Sequence, residues 1–299
     1  MSRLRILVAG SSGFLGTHLK DELIDRHHAV VSLVRRPTST PDESAWDPYA
    51  GTYDRAEIEQ ADVVVNLAGS PTLGNPHSKK WARRLRESRV TTTRVLAEAI
   101  ASSDRKPAFL AGNGISYYGD HGADVLTEDS DSQGRAMLTE VTRDWQAAAS
   151  PAAEAGARLC VLRTAPVMDR RSPPLKQLRL LFKAGLGARL GNGDQHLAMV
   201  SLRDWVGSVV HLAEHESATG PFNICCPQTP TNAEFTKALA EALDRRAFLV
   251  APGPVLKVGA GRMAPELLGS LNVRPAALEA SGYRFRDRDV DAVLASALR

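Results

Sequence analysis

Arg5-Ile6-Leu7-Val8-Ala9-Gly10-Ser11-Ser12-Gly13-Phe14-Leu15-Gly16, followed by Thr17 to Arg26, decides the fold. Five strand-like residues run into a glycine loop, and the segment after it places apolar residues at helical spacing. The order is therefore strand, tight turn, helix. The loop has the spacing GxxGxxG. Its first glycine suits the tight turn, its second lets backbone approach a pyrophosphate, and its third allows close packing of helix on strand, with the helix N-terminus facing the phosphates. Gly10, Ser12, Gly13, Phe14, Leu15 and Gly16 are accordingly candidate dinucleotide-binding residues.

Working outward, Ala29 to Val34 (AVVSLV), Asp62 to Asn66 (DVVVN), Ala108 to Ala111 and Arg158 to Arg163 (RLCVLR) repeat the apolar pattern. Helical stretches lie between them, around Ile58, from Arg83 to Ile100 and around Trp145. Strands apolar throughout and separated by helices indicate a parallel sheet covered on both faces. The expected fold is α/β, a doubly wound Rossmann domain over residues 1–165 with right-handed crossovers. Past Thr164 the character changes. Arg171 to Pro174 (RSPP) and Pro252 to Pro254 read as breakers, and Gly185 to Gly193 as a loop. Ser201 to His215 and Thr231 to Leu243 read as helices, the second opened by the capping signal Thr231-Asn232-Ala233-Glu234. Residues 166–299 are expected to form a smaller, mainly helical substrate region, with segments near 195–225 packing back onto the first domain.

The end of the second strand usually decides which dinucleotide is held, because an acidic residue there binds a ribose 2′-hydroxyl. This chain has Arg35-Arg36 instead. Two guanidinium groups suit a 2′-phosphate, which points to NADP(H); the alternative is a solvated strand exit. Asn66-Leu67-Ala68-Gly69 ends the third strand with small residues that let backbone approach adenine and ribose, although Gly69 also serves simply to end a strand.

The chain has 299 residues, 43% hydrophobic and 24% charged, which excludes disorder and fibrous repeats. The net charge of +3 is spread along the chain, giving no footprint for nucleic acid. Three cysteines, two of them adjacent, suggest no disulfide framework. No apolar stretch approaches the roughly 20 residues that span a bilayer. The expectation is a soluble cytoplasmic protein without membrane partner, a monomer or homodimer acting on a small molecule.

Taken together these residues resemble the extended short-chain dehydrogenase/reductases, and within them the atypical epimerase family with a C-terminal domain of unknown function. The motifs carrying the resemblance are the glycine loop, Trp46-Asp47-Pro48, Asn66 to Gly69, Ser88-Arg89-Val90, Tyr117-Tyr118-Gly119-Asp120, Leu126-Thr127-Glu128-Asp129-Ser130, Leu162-Arg163-Thr164, Thr231 to Phe235 and Gly282-Tyr283-Arg284-Phe285. The resemblance implies a Rossmann domain with Arg35, Arg36, Leu67, Ala68 and Arg89 within the cofactor's reach and Val167 near the nicotinamide. By sequence alone Arg89 sits beside Arg83, Arg84 and Arg86 and equally fits a solvated basic face.

The superfamily's chemistry uses a tyrosine four residues before a lysine, whose ammonium lowers the phenol pKa. None of the five tyrosines has lysine at that spacing. The corresponding helix places carry Leu138 and Thr142, and Asn113 stands where relatives more often have serine. Tyr117, Tyr118 and Asn113 remain the candidate catalytic residues, with a packing role for the tyrosines as the alternative. His211-Leu212-Ala213-Glu214-His215 matches the HxxEH zinc pattern, but the histidines fall in a last helical turn and no third ligand is placed by sequence, so no metal is expected. Arg203 and Asp204 are expected to be a structural pair or a substrate-pocket wall. Two readings follow: an oxidoreductase or epimerase acting on a small polar substrate such as a nucleotide sugar, or a cofactor-binding regulator without turnover.

Overall fold

Strand β1 (Arg5–Ala9) is the hub of a seven-stranded parallel sheet in a computed structural model that describes residues 3–72 and 74–299. On one side of β1 lie β2 (Ala29–Val34) and β3 (Glu43–Ala45). On the other lie β4 (Val63–Asn66), β5 (Ala108–Gly114), then Leu159–Thr164 and, at the edge, Gly220–Ile224. The chain reverses its direction of travel across the sheet between β1 and β4. Such a switch point opens a crevice at the carboxyl ends of the strands, where open α/β sheets bind ligands.

Both faces are covered, as the continuous apolar strands require. Helix α1 (Phe14–Asp25) and the helix Leu202–Glu214 pack on one face, around Ile6, Val8, Leu110, Trp205 and Val209. Helices α2 (Arg55–Gln60) and α3 (Lys79–Ser102) pack on the other, around Leu7, Val64, Leu96, Ile100 and Phe109. A third core, including Phe182, Met199, Phe235, Leu239 and Leu294, belongs to the second half.

Several boundaries differ from the sequence reading. Helix α1 starts at Phe14 rather than Thr17, with Gly13 as its N-cap. Gly220–Ile224 is a sheet strand disguised by its Gly-Pro start. The stretch Gly185 to Gly193 contains a strand, Ala188–Leu190, paired with Leu249–Ala251. Pro173 and Pro174 open a helix, Pro173–Lys183, rather than break one, because a helix's first turn has no use for the missing N–H.

The C-terminal region is tied to the sheet by polar clamps. Asp204, fully buried, accepts hydrogen bonds from the Tyr283 hydroxyl (2.9 Å) and from the backbone N–H groups of Arg286 (3.0 Å) and Asp287 (2.7 Å). Arg203 forks onto Asp287, with Nε 2.7 Å from Oδ2. Arg203 and Asp204 thus have a structural role, each anchoring the same C-terminal segment rather than bonding to the other. Asn272–Val273 pairs with Val125–Leu126 in a further parallel ladder.

Candidate functional site

The glycine loop shapes one wall of a cleft of about 640 Å³ at the carboxyl edge of the sheet, which Ser12, Ser32, Arg35, Leu67, Ala68 and Gly69 help to line. Gly10 has φ +82°, and a Cβ there would sit 2.7 Å from the Leu67 carbonyl carbon. Gly16 is pressed against the Gly10 carbonyl oxygen and has no room for one. Gly13 differs. A Cβ there would meet Gly10 O at 3.3 Å, a tight contact but a much looser one than at Gly16. Phe14 and Leu15 turn their side chains away from the cleft, Phe14 against His18 (ring centroids 4.9 Å apart) and Leu15 into the core. Neither lines the cleft, which reaches the chain as far as Gly13, the N-cap of α1.

At the end of β2 Arg35 is exposed and makes no ion pair, whereas Arg36 is held by Glu43, with Nη2 2.5 Å from Oε1 and Nη1 2.9 Å from Oε2. Hydrogen bonds from Arg36 above all, and from Ser39, hold the Glu43 carboxylate down at about 2. Glu43 was invisible to sequence reading because a three-residue edge strand has too few residues to show a period. The Ser32 hydroxyl, buried and without a hydrogen-bond partner, also lies on the cleft.

The exit of β4 is built by Asn66. Its Nδ2 donates to Thr93 Oγ1 (2.8 Å), and its Oδ1 accepts from the Ala68 N–H (3.0 Å), bending Leu67 and Ala68 into the cleft wall. Arg89 lies behind this turn, off the exposed face that carries Arg83, Arg84 and Arg86. Its Nη1 donates to the carbonyls of Ser70 (3.0 Å) and Leu85 (3.2 Å), and its guanidinium sits 5.2 Å from the Trp145 ring centroid. Among the described residues no carboxylate pairs with it. Burial lowers its pKa to about 10, which leaves a cation at neutral pH. A Cβ at Gly69 would meet Arg89 Cγ at 3.3 Å, so Gly69 makes room for this side chain as well as ending the strand.

The candidate catalytic residues fare differently. Tyr118 is fully buried; its hydroxyl donates to Asn223 Oδ1 (2.7 Å) and accepts from Arg163 Nη1 (2.8 Å), and burial pushes its pKa up to about 12. It is a structural phenol, not an accessible acid. Asn113 is buried with both ends spent, Nδ2 on the Thr142 carbonyl (3.1 Å) and Oδ1 on the Gly114 N–H (2.7 Å), so it does not occupy a hydroxyl's role. The Arg163 guanidinium carbon lies over the Tyr117 ring, 3.8 Å from its centroid, which suits packing. Val167 pairs with Val200 and packs into the core.

At His211 and His215 the rings stack 5.1 Å apart. His211 Nε2 lies 3.0 Å from Ser281 Oγ, and Glu214 is taken up by His28 (3.1 Å) and Arg26 (3.5 Å). His211 and Glu214 thus have partners outside the HxxEH pattern, and His215 stacks on His211. Among the described residues no group of three or more His, Cys, Asp and Glu side chains is arranged to hold a metal ion, and no helix is long and apolar enough to cross a membrane.

A second cavity, of about 490 Å³, opens beyond the end of β5 between the short turn Ile115–Tyr117, the start of helix α4 (Met137–Ala147) and the helix Ala264–Leu268. Ser116 Oγ donates to Glu266 Oε2 at 2.7 Å inside it. The pair is separated by 150 positions and carries no shared motif, so only the fold reveals it.

Comparison with known proteins agrees with this architecture. The family model described as the NAD dependent epimerase/dehydratase family matches residues 6–225, and a domain of unknown function (DUF1731) matches residues 251–297. An epimerase family protein of Mycobacterium leprae is 35% identical over 98% of this chain and 95% of its own. The crystal structure of the human epimerase family protein SDR39U1 with NADPH superposes with a TM-score of 0.86 at 30% identity, covering 98% of this chain and 99% of the human one. The nucleoside-diphosphate sugar epimerase from Corynebacterium glutamicum gives 0.82 at 31% identity over 99% of this chain and 58% of its own. With the glycine loop, the switch-point cleft and a match over most of its length, the chain belongs to the NAD dependent epimerase/dehydratase family.

Proposed function

We propose that the chain binds NADP(H) in the switch-point cleft and transfers hydride between it and a small polar compound bearing a hydroxyl or carbonyl group. The observation that carries the cofactor half is the pair Arg35 and Arg36 on the rim of a glycine-loop cleft. The donor set fits a dinucleotide diphosphate ester. The cavity volume lies in the range of small-molecule sites, Gly13 leaves the pyrophosphate position open, and the unpartnered Ser32 hydroxyl awaits a polar group. Arg36, released from Glu43, would clamp the 2′-phosphate with Arg35, while Leu67, Ala68 and Gly69 would bound the adenosine. Arg89 would supply positive potential from behind the turn, and Val167 would offer backbone near the nicotinamide. The crystallisation of the human relative with NADPH supports the same assignment.

Calorimetry tests it. Arg36→Ala should weaken NADPH binding about tenfold or more, the worth of a charge-assisted contact, and leave NADH nearly unchanged. Equal losses for both would refute the phosphate clamp.

A second reading, a cofactor-binding regulator, draws on one observation. Leu138 and Thr142 stand in place of a tyrosine and lysine, and the Thr142 hydroxyl is spent on the Leu138 (2.8 Å) and Thr139 (3.0 Å) carbonyls of its own helix. NADPH oxidation on addition of a carbonyl compound would sink that reading.

A further inference from the structure

Four hydrogen-bond donors converge on one carboxylate at the rim of the cofactor cleft. Arg36 presents Nη2 and Nη1 to the two Glu43 oxygens (2.5 and 2.9 Å), and Ser39 adds its backbone N–H (2.8 Å) and its hydroxyl (3.0 Å) to Oε2. A two-pronged guanidinium, a backbone N–H and a hydroxyl together are a donor set suited to a phosphate. Arg36 Nη1 also donates to the Pro37 carbonyl (2.9 Å), which holds the guanidinium over its own turn. The Glu43 side chain is 12% exposed against 55% for Arg36, so the carboxylate is enclosed by its donors while the guanidinium stays open to a ligand.

Glu43 begins the edge strand β3, where it pairs with Ser32, the residue whose unpartnered hydroxyl lies on the same cleft. The strand fixes its backbone. Only a change of side-chain rotamer is needed to free the four donors. The neighbouring Asp42 holds a second rim cation in the same way, its carboxylate accepting from Lys20 Nζ at 2.9 Å. Lys20, Arg35 and Arg36 all line the cleft, and two of them are thus paired with adjacent acidic residues of this chain.

We propose that the Glu43 carboxylate is a built-in counter-anion that occupies the 2′-phosphate subsite in the free protein, and that a phosphate-bearing nucleotide enters by displacing it. This role rests on the NADP(H) reading above and deepens it, making Glu43 a specificity-determining residue. A ribose phosphate, with two negative charges and three free oxygens, outcompetes a single carboxylate for Arg36 and Ser39. A bare 2′-hydroxyl brings no charge and leaves the pair closed. An ion pair at the surface is weak, so little free energy opposes the exchange. Were Glu43 instead to aim Arg36 at the ligand, its removal would act with the opposite sign.

Calorimetric titration of the full-length protein with adenosine 2′,5′-bisphosphate and with adenosine 5′-monophosphate reads the subsite without any turnover. Glu43→Gln keeps the length of the side chain and removes its charge. It should bind the bisphosphate about three- to tenfold more tightly than wild type, the worth of one exposed ion pair and of the like-charge repulsion that displacement leaves. Monophosphate affinity and melting temperature should stay nearly unchanged. The gain should shrink as salt is raised from about 50 to about 500 mM, because screening shortens the reach of both charges. In an Arg36→Ala background the same substitution should gain about twofold or less, since the clamp it frees is gone.

An unchanged or lowered bisphosphate affinity in Glu43→Gln overturns the proposal. So does a gain that ignores salt, or one that survives undiminished in Arg36→Ala, which would make Glu43 a distant charge rather than the occupant of the clamp. The NADP(H) reading fails by a different result: if Arg36→Ala weakens both nucleotides equally, that reading falls and takes the counter-anion with it. If Arg36→Ala loses bisphosphate affinity alone while Glu43→Gln gains none, the reading stands and only the counter-anion falls.

Discussion

Gly13 and Gly16 stand three residues apart in one loop, yet a methyl group would act differently at each. At Gly16 it collides with the Gly10 carbonyl oxygen, a backbone atom that cannot step aside without unpacking α1 from β1. Gly16→Ala should therefore lower the melting temperature by several degrees or prevent folding, the outcome of overpacking by about 1–3 kcal/mol. At Gly13 the nearest neighbour would be 3.3 Å away, a tight contact relieved by a shift of a few tenths of an ångström, so Gly13→Ala should lose clearly less melting temperature than Gly16→Ala and lose NADPH affinity in a titration. If both variants fall together in stability, the middle glycine is structural too. The loop was legible in the sequence because its constraints are local. Ser32, Glu43 and Glu266 were not, since an orphaned hydroxyl, a rim carboxylate and a partner 150 positions away from Ser116 emerge only when distant segments are folded together.

Among the elements, the motif Leu162-Arg163-Thr164 turns out to be mortar. Arg163 is buried in the strand Leu159–Thr164, where it donates to Tyr118 Oη (2.8 Å), the Glu128 carbonyl (3.2 Å) and Gln146 Oε1 (3.1 Å). Glu128 in turn accepts from the backbone of Asn223 (2.8 Å) and Ala277 (3.1 Å). Arg163 and Glu128 together thus tie the turn after β5, α4, the edge strand and the C-terminal region. Arg163→Met would strand several buried acceptors at about 1–3 kcal/mol each, so denaturant unfolding should show a loss of at least about 3 kcal/mol. A loss below about 1 kcal/mol would mean the network is replaceable. The strands and major helices were readable from periodicity. Short elements such as Glu43–Ala45, and Gly220–Ile224 behind its Gly-Pro start, were not, because tertiary pairing rather than local pattern makes them strands.

At the scale of the whole molecule, two bulk measurements follow. Cys160, Cys225 and Cys226 are all buried, and burial drives their thiols up, to about 11 for Cys160 and about 12 for Cys226. Thiolate is the reactive form. Ellman's reagent should find no fast-reacting thiol in the native protein and three after denaturation, and a rapid native reaction would show an opened core. The second measurement is acid stability. At Asp287 burial opposes ionisation, but the hydrogen bonds and charge of Arg203 outweigh it and the carboxyl lies below its ordinary value. A lowered folded-state pKa stabilises fully above the unfolded value near 4 and is lost as pH falls through the folded value. The melting-temperature gap between wild type and Asp287→Asn should therefore be constant at neutral pH and narrow below about pH 4. A gap that persists unchanged at lower pH would assign the stabilisation to shape rather than charge.

The small parallel ladder between Val125–Leu126 and Asn272–Val273 joins segments nearly 150 residues apart. Contacts of such separation are entropically expensive to close and are made late in folding. Synthesis proceeds from the N-terminus, so β1, the glycine loop and the switch-point crevice are available for folding long before residues 264–273 leave the ribosome. A stalled nascent chain ending near residue 225 should already hold the dinucleotide cleft but lack one whole wall of the second cavity. Order of synthesis thus separates the cleft and the second cavity in time, and cofactor arriving early would act as a template on which the rest of the chain closes.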